Sequence, residues 1–349
     1  MKLTHWFSNQ LRKIPGTGWW SKLKGLASAP FRGGIPALLT AWRERRRVSL
    51  PEDKSHYFLV RSYPGSRMRR YRVHLPRGSA ATRPRPLVLV LHGCRQEHLD
   101  IESITGFNQL SDQHDFLVAY PFVTSYRGLR NKNCWGWWFD REIHAGAGEV
   151  EDLWQIVEEI KRDYAVDERR IHVTGLSSGG GMAVAMMVAH AGKIASGASV
   201  ADLPYAERAD AVQHPFNPLP VSRSVDAIVA EMRAELGAQQ NPPPIQVIHS
   251  RNDDKVRLQS AELIRDSWGQ CLGIDTHRPS AGNHGDHGSS QWELLQYRDS
   301  DGDAVIETLF IEGPGHGWYG GNPGNFSFTD APDIKQGIWK FFEDHPLPD

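Results

Sequence analysis

β-Branched residues crowd into Ile171-His-Val-Thr174 and run directly into Gly175-Leu-Ser177-Ser-Gly179, and Met182-Ala-Val-Ala-Met-Met-Val-Ala-His190 beyond them is compatible with a helix. Strand, G-x-S-x-G, helix is the context of a nucleophile elbow, in which a serine sits on a strained strand-to-helix turn. Residues two before and two after that serine must be small so that neighbouring backbone can approach. The helix start then presents N–H groups where a negatively charged oxygen would form. A glycine-rich turn that only packs a helix onto a sheet is the alternative, and the flanks on both sides argue against it. Ser177 is preferred to Ser178, since Leu176 stands where a register centred on Ser178 requires glycine.

The rest of the chain supplies the sheet such an elbow needs. Phe58 to Tyr63 and Arg69 to Leu75, around a turn at Pro64-Gly65, predict an antiparallel N-terminal hairpin. Leu87-Val-Leu-Val-Leu91, Phe116 to Tyr120, Ala195 to Ala201 and Ile245 to His249 read as strands buried on both faces. Helices are expected over 101–114, 148–164, 258–270 and 331–343, which gives a mostly parallel sheet with helices on both faces, an α/β-hydrolase architecture. Trp292 to Arg298 and Ala304 to Ile311 form a hairpin-like pair, and the polar His- and Gly-rich run 279–290 is expected to be a loop. Residues 203–243 break the rhythm, with prolines and a helical stretch near 226–236, and are read as a lid or substrate wall within a catalytic domain spanning 51–349.

A serine nucleophile needs a general base within hydrogen-bond reach and a carboxylate that holds the base in the right tautomer. In this architecture the order is Ser, acid, His, each on a loop after a strand. Ser250-Arg-Asn-Asp253-Asp254 follows one strand and Glu312-Gly-Pro-Gly-His316-Gly-Trp-Tyr319 follows another. His316 is therefore the expected base and Asp253, in preference to Asp254, the expected acid. The oxyanion hole should combine the N–H of Ser178 with one from the loop His92-Gly93-Cys94, for which the Cys94 N–H is chosen. Trp135, Trp137, Trp138 and Trp318 lie close to these motifs and are candidates to line an acyl or polymer cleft, or else to pack beneath the loops.

Leu89-Val-Leu-His92-Gly-Cys-Arg-Gln96, Gly106-Phe-Asn-Gln-Leu110, Phe116 to Pro121, Asn133-Cys-Trp-Gly-Trp-Trp138, Gly175 to Gly180 and Gly315-His-Gly-Trp318 together resemble the polyhydroxybutyrate depolymerase family of serine esterases over residues 57–345. The resemblance implies Ser177 as nucleophile, Asp253 as acid and His316 as base, with His92 and Cys94 in the oxyanion loop. It also implies a Cys94–Cys134 bridge, and substrates that are short-chain 3-hydroxyalkanoate polyesters or oligomers. The same family includes esterases of feruloyl and acetyl groups. A reading of another class keeps the fold without catalysis, as a protein that coats granules or membrane.

Other classes find less support. The net charge of −1 gives no argument for nucleic acid, and no run approaches 18 apolar residues. No dinucleotide fingerprint or P-loop is present, so no cofactor is expected, and no metal is assigned. Asp299 to Asp303 is too short for a calcium loop, and a polar loop accounts for His284-Gly-Asp-His287. Residues 1–50 hold ten Lys and Arg against Glu44, interleaved with Trp6, Trp19, Trp20 and Trp42. Such a basic, aromatic extension suits a granule or membrane surface, or is a flexible tail. The N-terminus lacks a secretory pattern, which points to the cytoplasm, where the three cysteines would be thiols.

Overall fold

Strand β3 (Arg85–Leu91) is buried along its whole length, and its side chains divide between two cores. Leu87, Leu89 and Leu91 enter one, with Val73, Val173 and Met182, while Val88 and Val90 enter the other, with Phe107, Phe116 and Trp318. Period-two alternation with both faces apolar is what places a strand at the centre of a helix-covered sheet. The computed structural model describes residues 55–77, 83–123, 132–207, 223–237 and 240–348. The extension 1–50 and most of the first half of the 203–243 insertion lie outside the described residues.

Around β3 the strands are β1 (Ser55–Phe58), β2 (Arg69–His74), β4 (Leu117–Phe122), β5 (Val166–Leu176), β6 (Ser196–Val200), β7 (Ile245–Ser250), β8 (Ala281–His287), β9 (Ser290–Tyr297) and β10 (Ile306–Glu312). Their order across the sheet is β1-β2-β4-β3-β5-β6-β7-β10-β9-β8. The six central strands, β4 to β10 in that order, run parallel, and an antiparallel pair flanks them on each side. The carboxyl ends of β3, β5, β7 and β10 therefore share one edge, where ligands bind in open α/β sheets. A smaller parallel pair, β11 (Trp318–Tyr319) with β12 (Ser327–Phe328), follows β10.

The helices are α1 (His98–Thr105), α2 (Phe107–His114), α3 (Gly148–Asp163), α4 (Ser178–Ala189), α5 (Val225–Leu236), α6 (Leu258–Leu272) and α7 (Ile334–Asp344). The single helix expected over 101–114 is two, because Gly106 adopts a left-handed φ of 71° that ends α1 and starts α2. In α5 the buried residues Ile228, Met232 and Leu236 fall at i, i+4 and i+8, so this part of the insertion packs into the main core through one stripe. Ser224 caps it by accepting the Ala227 N–H.

Two further expectations are corrected. The N-terminal strands pair antiparallel, but Phe58 is opposite Arg69, so residues 59–68 form a long connection and not a tight hairpin. The run expected to be a loop at 279–290 contains β8, fully paired to β9 from Ala281 opposite Gln296 to His287 opposite Ser290. Its Gly, Asn, Asp and His composition has low strand propensity, and the ladder with β9 overrides it.

Candidate active site

Ser177 joins β5 to α4 with φ 54° and ψ −121°, a conformation that an L-residue holds only when its surroundings impose it. The surroundings are backbone. A Cβ on Gly175 would lie 2.4 Å from the Gly179 carbonyl carbon, and one on Gly179 would lie 2.3 Å from the Leu91 oxygen. Only glycine lets strand, helix and the β3 terminus meet this closely. The Ser177 N–H donates to Val200 O at 2.8 Å, tying the elbow to β6. Helix α4 is buried from Ser178 to Val188, so the elbow rests on a helix with no solvent face. Ser177 itself keeps partial exposure.

His316 and Asp253 come from the loops after β10 and β7, which are adjacent in the sheet. His316 Nδ1 lies 2.7 Å from Asp253 Oδ2. Asp253 Oδ1 accepts the N–H groups of Lys255 at 2.7 Å and Val256 at 2.8 Å. Burial works to raise the Asp253 pKa, but the hydrogen bond and charge of His316 outweigh it and hold the carboxyl below the usual range. Asp254, by contrast, is exposed and pairs with Lys255 Nζ at 2.9 Å. The two loops are also stitched together directly, since Ser250 Oγ donates to Pro314 O and Gly313 N–H donates to Asn252 Oδ1 at 2.8 Å. His249 adds a tie from within β7, its Nε2 donating to Val256 O at 3.0 Å.

The loop after β3 sits against the elbow, with the space above Gly93 bounded by Leu176 O and Ser177 Cβ. The Gly93 N–H is taken by Gln96 Oε1 at 2.8 Å, which leaves the N–H of Cys94 as the next donor along the loop. The Ser178 N–H stands at the first position of α4, where no helical acceptor exists. His92 is fully buried, and both of its ring nitrogens bond to backbone. Nε2 accepts the Val123 N–H at 3.2 Å, so Nδ1 carries the proton and donates to Gly93 O at 2.8 Å. Burial lowers its pKa to about 4, which keeps the ring neutral. His92 thus fixes the loop from beneath, and its ring has no nitrogen free to contact an oxyanion.

Cys94 and Cys134 form a disulfide, and Arg95 N–H donates to Lys132 O at 2.6 Å beside it. The bridge joins the loop after β3 to the tryptophan-rich segment. That segment is anchored in turn by Glu149, whose Oε2 accepts the Gly136 N–H at 2.6 Å while Oε1 pairs with the buried Arg69 at 3.5 Å. The four tryptophans offered as cleft residues are core. Trp135 and Trp318 are 0 % exposed, Trp137 4 % and Trp138 7 %. Trp135 packs against His92 and under the Arg69 guanidinium, and Trp318 packs edge-on to Phe107. Aromatic side chains of this size gain most from full burial, which accounts for their place beneath the loops.

Gln96 has the role that sequence reasoning did not assign. It is buried, and its Nε2 donates to Asn325 O at 3.3 Å while its Oε1 takes Gly93, so it links the β3 loop to the segment after His316. The signal was present in its place two residues past Cys94 within the quoted motif. Among the described residues no group of three or more His, Cys, Asp or Glu is placed to hold a metal ion, and no helix is long and apolar enough to cross a membrane.

A family model described as Esterase PHB depolymerase matches residues 69–263. Poly(3-hydroxyalkanoate) depolymerase C of Paucimonas lemoignei is 29 % identical over 249 residues, covering 70 % of this chain and 57 % of that protein. A bifunctional acetylxylan esterase/xylanase of Neocallimastix patriciarum is 24 % identical over 262 residues, covering 75 % of this chain and 32 % of the relative. The chain thus spans about half or less of the length of these relatives. An acetyl xylan esterase from Aspergillus awamori superposes with a TM-score of 0.60 at 17 % identity, over 79 % of this chain and 94 % of that one, a likeness of fold.

Proposed function

This chain belongs to the esterase PHB depolymerase family, and from that membership we propose that it hydrolyses carboxylic esters through Ser177, His316 and Asp253. The observation that carries the proposal is the 2.7 Å contact between His316 and Asp253, formed on the same sheet edge as the strained Ser177. Asp253 accepts the Nδ1 proton of His316, which leaves Nε2 as the basic nitrogen. Nε2 takes the Ser177 proton as Oγ attacks the ester carbonyl. The N–H groups of Cys94 and Ser178 then stabilise the tetrahedral oxyanion, each such donor being typically worth about 10²–10³ in rate. Protonated His316 next gives its proton to the leaving alcohol. Water, activated by the same nitrogen, frees the acid from the acyl-enzyme.

As substrate we propose short-chain 3-hydroxyalkanoate polyester or its oligomers, a reading supported by the depolymerase relative, whose name gives poly(3-hydroxyalkanoate). Acetyl esters, named for the second relative, are the competing reading, with feruloyl esters, named for a relative of Neurospora crassa, beside them. Turnover of amorphous polyhydroxybutyrate, tributyrin, acetylated xylan and methyl ferulate by the wild type and Ser177→Ala separates them. Activity on the first two, abolished by Ser177→Ala, supports the depolymerase reading. A fluorophosphonate that leaves no adduct on Ser177 in folded protein would instead support a non-catalytic coat protein. We also propose that residues 1–50 dock on a granule or membrane surface. Unchanged granule association after their deletion, with small-ester turnover intact, rejects that part alone. The expected cytoplasmic location is tested by the redox state of Cys94 and Cys134 in fresh extract, since that compartment keeps thiols reduced.

A further inference from the structure

Strand β8 ends the sheet. Among the described residues its single strand neighbour is β9, and along its other edge no strand is paired, the His284 N–H being held only by the adjacent Asn283 Oδ1 at 2.9 Å. All of its residues are exposed except the half-buried Gly285. Long exposed edges are normally blunted by Lys, Pro or a bulge, and Ala281-Gly-Asn-His-Gly-Asp-His287 has neither Lys nor Pro. Nothing in the proposed ester chemistry uses this strand.

The sequence of β8 is complementary to itself. If two copies pair antiparallel about an axis at Gly285, His284 falls opposite Asp286 of the partner subunit and Asp286 opposite the partner's His284. Asn283 faces the partner's His287 in the same register. Directly opposed side chains on an antiparallel pair have Cβ atoms about 4.5–5.5 Å apart, within reach of a His–Asp hydrogen bond. Behind them hydrogen-bond donors and acceptors continue to alternate, because His284 is opposite Glu293 on β9 and Glu293 pairs with Arg251 at 2.6 Å. Across the axis the order is therefore Arg251, Glu293, His284, then Asp286 of the partner subunit.

The other face of the strand supplies apolar contact. Gly285 is opposite Trp292, and the far atoms of that indole lie 2.7–3.0 Å from where a Gly285 Cβ would be. The ring therefore reaches over β8 toward the open edge, a position that any side chain at 285 would deny it. With strands about 4.7–4.9 Å apart, the two Trp292 backbones of a pair would stand about 14 Å from each other, and their rings approach over two facing glycines. We infer that β8 is a self-association edge through which two copies of this chain join their sheets into one.

Sedimentation equilibrium of the full chain tests this, with circular dichroism and tributyrin turnover confirming that each variant is folded. The wild type is expected as a dimer. His284→Asp sets carboxylates against each other twice and is expected to weaken the dimer roughly tenfold. Adding Asp286→Lys to the same chain makes both oppositions attractive again and is expected to restore it. A monomeric wild type, a His284→Asp dimer of unchanged affinity, or a double variant no tighter than the single one each overturns the inference.

Discussion

His316 Nδ1 and Asp253 Oδ2 meet at 2.7 Å across two loops that leave adjacent strands, and the second oxygen of Asp253 is held by two backbone N–H groups of its own turn. The carboxylate is thus fixed before it fixes the histidine. Asp253→Asn keeps the shape but offers an amide N–H where the ring needs an acceptor, favouring the wrong tautomer. A fall in kcat of about 10⁴ with little change in KM is expected, as for the same exchange in a serine protease triad. Steady-state kinetics on tributyrin checks this. A loss below tenfold would mean that the contact is structural only.

Gln96 offers a subtler test, because it touches no reacting atom. Gln96→Ala leaves the buried Gly93 N–H without its acceptor and cuts the tie to Asn325. The Cys94 N–H would then be less well aimed, and kcat should drop, though by less than the about 10²–10³ that follows outright loss of an oxyanion donor. Gln96→Glu preserves the acceptor for Gly93 and should recover part of the rate. If both variants match the wild type in kcat while losing thermal stability, the residue serves the fold alone.

The Cys94–Cys134 bridge closes a loop across 40 residues of sequence. Its removal should cost about 2–4 kcal/mol of stability, the usual range for disulfides. Because Cys94 also belongs to the oxyanion loop, Cys134→Ser should lower kcat as well as the urea midpoint, and dithiothreitol should do the same to the wild type but not to the variant. Equal sensitivity of both proteins to reductant would place the effect elsewhere, since Cys271, buried in the main core, is the free thiol among the described residues.

The sequence disclosed the features that rest on local chemistry. The β3 run, the strand-to-helix turn at Ser177 and the glycine-rich loop that carries His316 each rest on a short local pattern. What it hid depends on pairing and packing that local composition does not announce. Strand β8 has no strand-like composition and exists through its ladder to β9. The tryptophans near the motifs invited a cleft role by proximity, but Arg69, far from them in the chain, packs over Trp135 while Glu149 holds the Gly136 N–H, and together they draw the segment inward. The break at Gly106 rests on the left-handed φ of that glycine, which the helical pattern on both sides of it conceals.

Acid should destabilise the fold through histidines that it buries in neutral form. Burial is the main cause that lowers the pKa of His92 to about 4 and those of His172 and His190 to about 3. In the unfolded chain each titrates near 6.5, so between that pH and 3–4 the unfolded state binds protons that the native state refuses. Stability therefore falls as pH drops below 6.5, by about 1.4 kcal/mol per pH unit for each such group, or about 2 kcal/mol each by pH 5. Urea denaturation from pH 7 to pH 5 should show this loss. His172 bonds Ser196 Oγ at 2.8 Å and stacks on Phe342, far from the proposed chemistry. His172→Gln should start from lower stability, yet its slope against pH should be shallower by one histidine's share. Parallel slopes for variant and wild type would show that the acid sensitivity comes from other groups.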